Sequence, residues 1–301
     1  MRRRFAAALG VFVTALVVGS LASIPVAGQA PKPAAKTWSP PRTSDGHPDF
    51  SGTWTYAGAT PGDVPMERGG TGRTGEGVLL RQSAVRSLVV NPSDGRVPIR
   101  PEAEARRDYD LAHVGDSWEF VTPWERCITR GIPGSMIPAN INSGYQIVQS
   151  PGTVAILYEV IHDVRTIPTD SSPHLPPNVR LWMGDARGRW EGDTLVVDTT
   201  NFNNKGVISS STASGRIRGI RHSERLRVVE RFTLADAKTL RYEVTIDDPE
   251  AYARPWTLAF NLDRDDTFQI FEYACHEGND TFMKVTLGGG RAADKKAQQP
   301  R

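Results

Sequence analysis

The sequence predicts an all-β protein: a single antiparallel β-barrel, built as a meander, with an irregular N-terminal arm and one short helix. Three observations point there. Arg187 to Asn201 reads as a tight hairpin, with Gly192-Asp193 at the bend and Thr194 to Thr200 as the second strand. Glycine permits the positive φ of a hairpin turn, and Thr and Val favour the pleated conformation. Strand-like runs then recur in quick succession from 144 to 277, most of them separated by polar or Gly/Pro segments. Several alternate cleanly, as in 239–247, where Leu240, Tyr242, Val244 and Ile246 oppose Arg241, Glu243, Thr245 and Asp247. One face of each strand then turns to a core and the other to water.

Taken in order, Met1 to Ala30 reads as a signal peptide, with Arg2, Arg3 and Arg4 as its basic start and Phe5 to Val18 as its apolar stretch. That stretch is short for a membrane span, so no stable membrane insertion is expected after the signal is removed. Residues 31–48, rich in Pro, Lys and Ser, read as an extended linker. Residues 49–290 form the barrel domain, and 291–301 a charged, Gln-rich flexible tail. The first strand is 49–56, where Phe50, Gly52, Trp54 and Tyr56 alternate with polar residues. A glycine-rich loop occupies 58–77. Pro101 opens a short helix over 101–112, with Glu early and Arg later. Further strands are read at 144–149, 153–167, 179–183, 189–191, 194–200, 223–234, 239–247, 255–262 and 267–277.

Composition excludes several classes. The net charge is +2, an excess that the leader arginines account for, so no electrostatic case exists for nucleic acid. The glycine-rich loop has glutamate where a phosphate loop needs lysine. There is no Gly-x-Ser-x-Gly elbow, no His-Glu-x-x-His and no calcium loop, so the sequence implies no cofactor and no metal site. The two cysteines, Cys127 and Cys275, would pair as a disulfide in an oxidising compartment; two buried free thiols are the alternative. With the leader, this places the protein in the periplasm or outside the cell.

Polar residues on apolar faces are the candidates for chemistry. In 153–167 the series Val154, Ile156, Tyr158, Val160, His162, Val164 puts His162 inward. In 223–234, Glu230 lies between Val228 and Phe232 on the inward face. In the last strand Glu272 and His276 share a face with Phe268 and Ile270, although the opposite face is as apolar. A buried carboxylate must find a partner, a proton or water. A histidine beside it is the usual arrangement for acid–base work. His162 and Glu230, with Glu272 and His276 as weaker members, are thus candidate catalytic residues; a structural polar network is the alternative. Trp54, Trp182, Trp190 and Trp256 are candidate walls of an aromatic ligand cavity. Asp185 and Asp193 read as turn aspartates that cap the backbone.

From Phe50 to Gly290 the chain resembles a family of uncharacterised exported bacterial proteins. The matching segments are Pro48 to Trp54, Glu125 to Ile128, Leu175 to Asn178, Trp190 to Phe202, Arg254 to Trp256 and Tyr273 to Asn279. The resemblance implies no activity and hence no catalytic residues. More distantly, Gly52-Thr-Trp54 on a first strand resembles the lipocalin and related calycin barrels, which implies a small hydrophobic ligand. The expected function is therefore an exported barrel that binds a small hydrophobic or aromatic molecule. The alternatives are an acid–base enzyme (lyase, isomerase or hydrolase) using His162 and Glu230, and a structural envelope protein.

Overall fold

A computed structural model describes residues 38–56, 65–68, 87–138 and 144–287. The signal read over 1–30, most of the glycine-rich loop and the tail from 291 lie outside these residues. The chain forms β1 (Gly52–Tyr56), β2 (Val89–Asn91), α1 (Pro101–Ala112), β3 (Tyr145–Ser150), β4 (Thr153–Tyr158), β5 (Asp163–Pro168), β6 (Asp185–Glu191) and β7 (Thr194–Thr200). A 3-10 helix (Thr212–Ile217), β8 (Arg227–Leu234), β9 (Thr239–Asp247) and β10 (Trp256–Arg264) follow. The sheet runs β5-β4-β3-β1-β10-β9-β8-β7-β6, antiparallel at every pairing, with β2 added against β10. It curls into a nearly closed barrel, as the alternating pattern predicts.

The two ends of the sheet, β5 and β6, meet across a seam. Gly188 on β6 makes the approach possible: a Cβ there would stand 2.7 Å from the Thr169 methyl and 3.0 Å from the Ile167 methyl. The core fills the barrel from inside. Trp54, Tyr158, Phe232, Tyr242, Val244 and Leu262 are buried, and each large side chain contributes about 1.5–3 kcal/mol by leaving water. The hairpin of β6 and β7 has the expected two-residue turn, with Glu191 opposite Thr194 and Gly192 at φ 59°. Leu195, Val197 and Thr199 face inward, opposite Phe232, Glu230 and Val228.

The helix matches its expected bounds, with Pro101 opening it and Glu102 and Glu104 in its first turn. Four expectations change. The 153–167 run is two strands, because the chain reverses at 159–162, with Ile161 and His162 at positive φ. Residues 179–183 form no strand; only Leu181 bridges Phe202. Residues 267–277 form none either: β10 already has β1 and β9 on its two sides, and Asp265 turns the chain away by accepting from the Thr267 and Phe268 amides at 3.0 and 3.1 Å. Finally, the described part of the expected linker packs on the barrel. Arg42 pairs with Asp193 at 2.8 Å, and His47 stacks on Trp190 with ring centres 4.6 Å apart.

Candidate functional site

Glu230 occupies the inward position its neighbours predict, and it is fully buried. Its partner comes from across the seam. The β4–β5 reversal turns Arg165 inward, where its guanidinium donates to Glu230 at 2.6 Å and to the Thr199 hydroxyl at 2.7 Å. The Tyr242 hydroxyl donates to the other carboxylate oxygen at 3.0 Å. Tyr158 lies against the same guanidinium without hydrogen-bond geometry. Burial alone would push Arg165 down; the Glu230 carboxylate, then Tyr158, outweigh it and hold the guanidinium above its ordinary value. Burial, reinforced by Glu230, pushes both tyrosines up, so both stay neutral hydroxyls. The group is a staple from β5 to β8 that holds the seam shut.

An arc of aromatic rings continues from this staple around the barrel wall. Phe232 and Phe260 each lie 5.0 Å from Tyr242; Phe260 meets Tyr56, Tyr56 meets Tyr145, and Tyr145 meets Tyr158, each pair 5.8 Å apart. Tyr56 and Phe260 are only half-buried, so the arc opens to solvent there. The Tyr56 hydroxyl donates to the Met136 carbonyl at 2.9 Å, which brings the irregular 122–138 segment over this part of the barrel.

The other expected site residues scatter. His162 sits exposed on the β4–β5 turn, because the reversal ends the alternation that placed it inward. Glu272 and His276 are exposed on the irregular segment after β10. Among the described residues the four make no hydrogen bond or ion pair with one another; Glu230 is taken by Arg165 and Tyr242. The four tryptophans lie in three different places. Trp54 and Trp256 are core side chains, and the Trp54 indole donates to the Phe50 carbonyl at 2.8 Å. Trp190 packs between His47 and Phe50 at the barrel end, and Trp182 lines a small recess with Trp124 and Arg130. Cys127 and Cys275 form a disulfide.

The polar hairpin residues are structural. Asp185 accepts from His174, the Leu175 amide and Arg187 at 2.9, 2.8 and 2.7 Å, and the Asn201 amide donates to the carbonyls of Leu175 and Pro176. Together they pin the Leu175 to Asn178 segment. Arg165 and Arg130 escaped the sequence reading. A run of 15 residues was already long for one strand, and a turn within 153–167 would have turned Arg165 inward. Arg130 lies among prolines in an irregular stretch, where no periodicity assigns a face. A cleft of about 600 Å³ between α1, 221–225 and 250–251 is lined mostly by charged and polar residues, and Arg106, Arg180 and Arg221 on its walls are paired with acids.

Among the described residues no group of three His, Cys, Asp or Glu side chains is placed to hold a metal ion, and no helix is long and apolar enough to cross a membrane. No protein-family model matches the chain, and no curated protein matches it either.

Proposed function

We propose that this protein is an exported binder of a small hydrophobic or aromatic molecule, held against the aromatic arc where Tyr56 and Phe260 meet solvent. The single observation that carries the reading is the continuity of that arc: half-exposed rings backed by buried ones, the largely apolar lining that small-molecule sites use. Export is supported by the Cys127–Cys275 disulfide, which persists in oxidising compartments, and by the basic-then-apolar leader. The segments that resemble exported bacterial proteins fit the same reading. The acid–base alternative draws no support from the arrangement, because the Glu230 carboxylate is already satisfied by Arg165 and Tyr242.

The test is titration with N-phenyl-1-naphthylamine, whose fluorescence rises in apolar sites. The wild type should show saturable binding. Phe260→Asp should weaken it at least about tenfold, the equivalent of one lost aromatic contact. Val164→Asp, at a side chain 61% exposed on the outer face of β5, should leave it unchanged. Equal binding by the Phe260 variant, or none by the wild type, would remove this reading and leave a structural envelope role. Mass spectrometry of molecules that co-purify with the protein would identify the natural ligand.

A further inference from the structure

Arg130 is buried, 5% exposed, and forms no ion pair among the described residues. Its guanidinium lies 5.4 Å over the Trp124 ring, with Tyr56, Tyr145 and Tyr273 near enough to act on its charge. Burial pushes it below the ordinary arginine value, and the three tyrosines offset this only in part. Ring faces attract a cation but do not accept the in-plane N–H bonds of a guanidinium. Arg165, the other deeply buried arginine described above, has a carboxylate at 2.6 Å; Arg130 has none.

The surroundings repeat the imbalance. Arg130 lines a recess with Trp124, Thr129, Trp182, Gly206 and Ser210, and among the described residues no acidic side chain lines it. Arg130 Nε, Trp124 Nε1 and Ser210 Oγ are all buried there with no hydrogen-bond partner. Asp163 interacts with Thr129 but does not line the recess, and its charge is not among those that act on Arg130. Two glycines allow close packing around it: a Cβ at Gly206, which lines the recess, would collide with the His222 ring, and one at Gly134 with the Arg130 carbonyl. The inner part of the recess has room for a group about the size of one water molecule.

We infer that the Trp124–Arg130–Ser210 recess is an anion-binding site for a small monoanion or the carboxylate end of an organic acid. A buried cation without a counter-charge is costly, and an anion would accept from the guanidinium, the indole and the hydroxyl together. The space suits a halide or a carboxylate oxygen, whereas a tetrahedral sulfate is too large. Arg130 lies near Tyr56 and Tyr145 of the arc, but this inference rests on Trp124, Arg130 and Ser210 and is tested by variants that leave Tyr56 and Phe260 unchanged.

The experiment follows intrinsic tryptophan fluorescence of the mature protein during titration with chloride or acetate, with ionic strength held constant by sodium sulfate. The wild type and Arg225→Gln, at an exposed arginine in the cleft beside α1, should give the same saturable change. Arg130→Gln should weaken it at least about tenfold, the loss of one charge-assisted bond. Ser210→Ala should weaken it severalfold while leaving the fold intact, and decides the matter if Arg130→Gln does not fold. Saturation by acetate alone identifies an organic acid as the source; saturation by both identifies a small inorganic anion as sufficient. No saturation by either, or wild-type affinity in Arg130→Gln or Ser210→Ala, overturns the inference.

Discussion

Glu230 shows what a single residue discloses and what it withholds. Its inward position was legible, because Val228 and Phe232 flank it in a strictly alternating strand. Its role was not, because the deciding partner, Arg165, is 65 residues away on the opposite side of the seam. A lone buried carboxylate suggests acid–base chemistry; one bonded to a buried guanidinium and a neutral tyrosine is a structural ion pair. Glu230→Gln should therefore destabilise the fold by about 3–5 kcal/mol, because it leaves Arg165 charged and uncompensated in the core. Adding Arg165→Met should recover a large part of that loss, since the two residues are directly coupled. Urea unfolding of the two single variants and the double variant measures both effects. A Glu230→Gln midpoint equal to wild type would refute the staple and return the carboxylate to the list of candidates for chemistry.

At the scale of the element, strands with one polar and one apolar face were the readable ones. Those at 194–200 and 239–247 carry their register in their pattern, and the hairpin turn carries its own glycine. The β4–β5 reversal was hidden because it uses neither Gly, Pro nor Asn; Ile161 and His162 take the positive φ that glycine usually supplies. The 267–277 segment misled for the opposite reason: with both faces apolar it had no preferred side, and the strand just before it, β10, already has β1 and β9 on its two sides. The seam depends on one glycine whose meaning is invisible in one dimension. Gly188→Val would thrust a branched side chain into Thr169 and Ile167 and force β5 and β6 apart. We expect a loss of about 1–3 kcal/mol, the usual cost of overpacking, with faster amide exchange in β5 and β6 but not in β9. Uniform change across the sheet, or none, would show that the edges are not held by close contact at Gly188.

Over the whole molecule, the barrel ladder explains the strands but not the two irregular segments beside it. The 122–138 segment, which carries Arg130 and touches Tyr56, has no sheet partner, and neither does the chain after β10. The Cys127–Cys275 disulfide joins these two across 148 residues of sequence, most of which is the barrel itself. Such a cross-link removes chain entropy from the unfolded state worth up to roughly 4–5 kcal/mol, and engineered examples often deliver less. Its local effect should be uneven. In a Cys127→Ala/Cys275→Ala variant the melting temperature should fall. Amide exchange should rise most at Ile128, Ser135 and Ile137, which are bonded only within their own segment, while β8 and β9, held by a full ladder, keep their protection. Loss of protection spread evenly over the barrel would mean instead that the bridge acts only through the unfolded chain. Local loosening would link the two binding proposals to compartment, because the segment that reaches Tyr56 and carries Arg130 is then held more firmly where the disulfide survives.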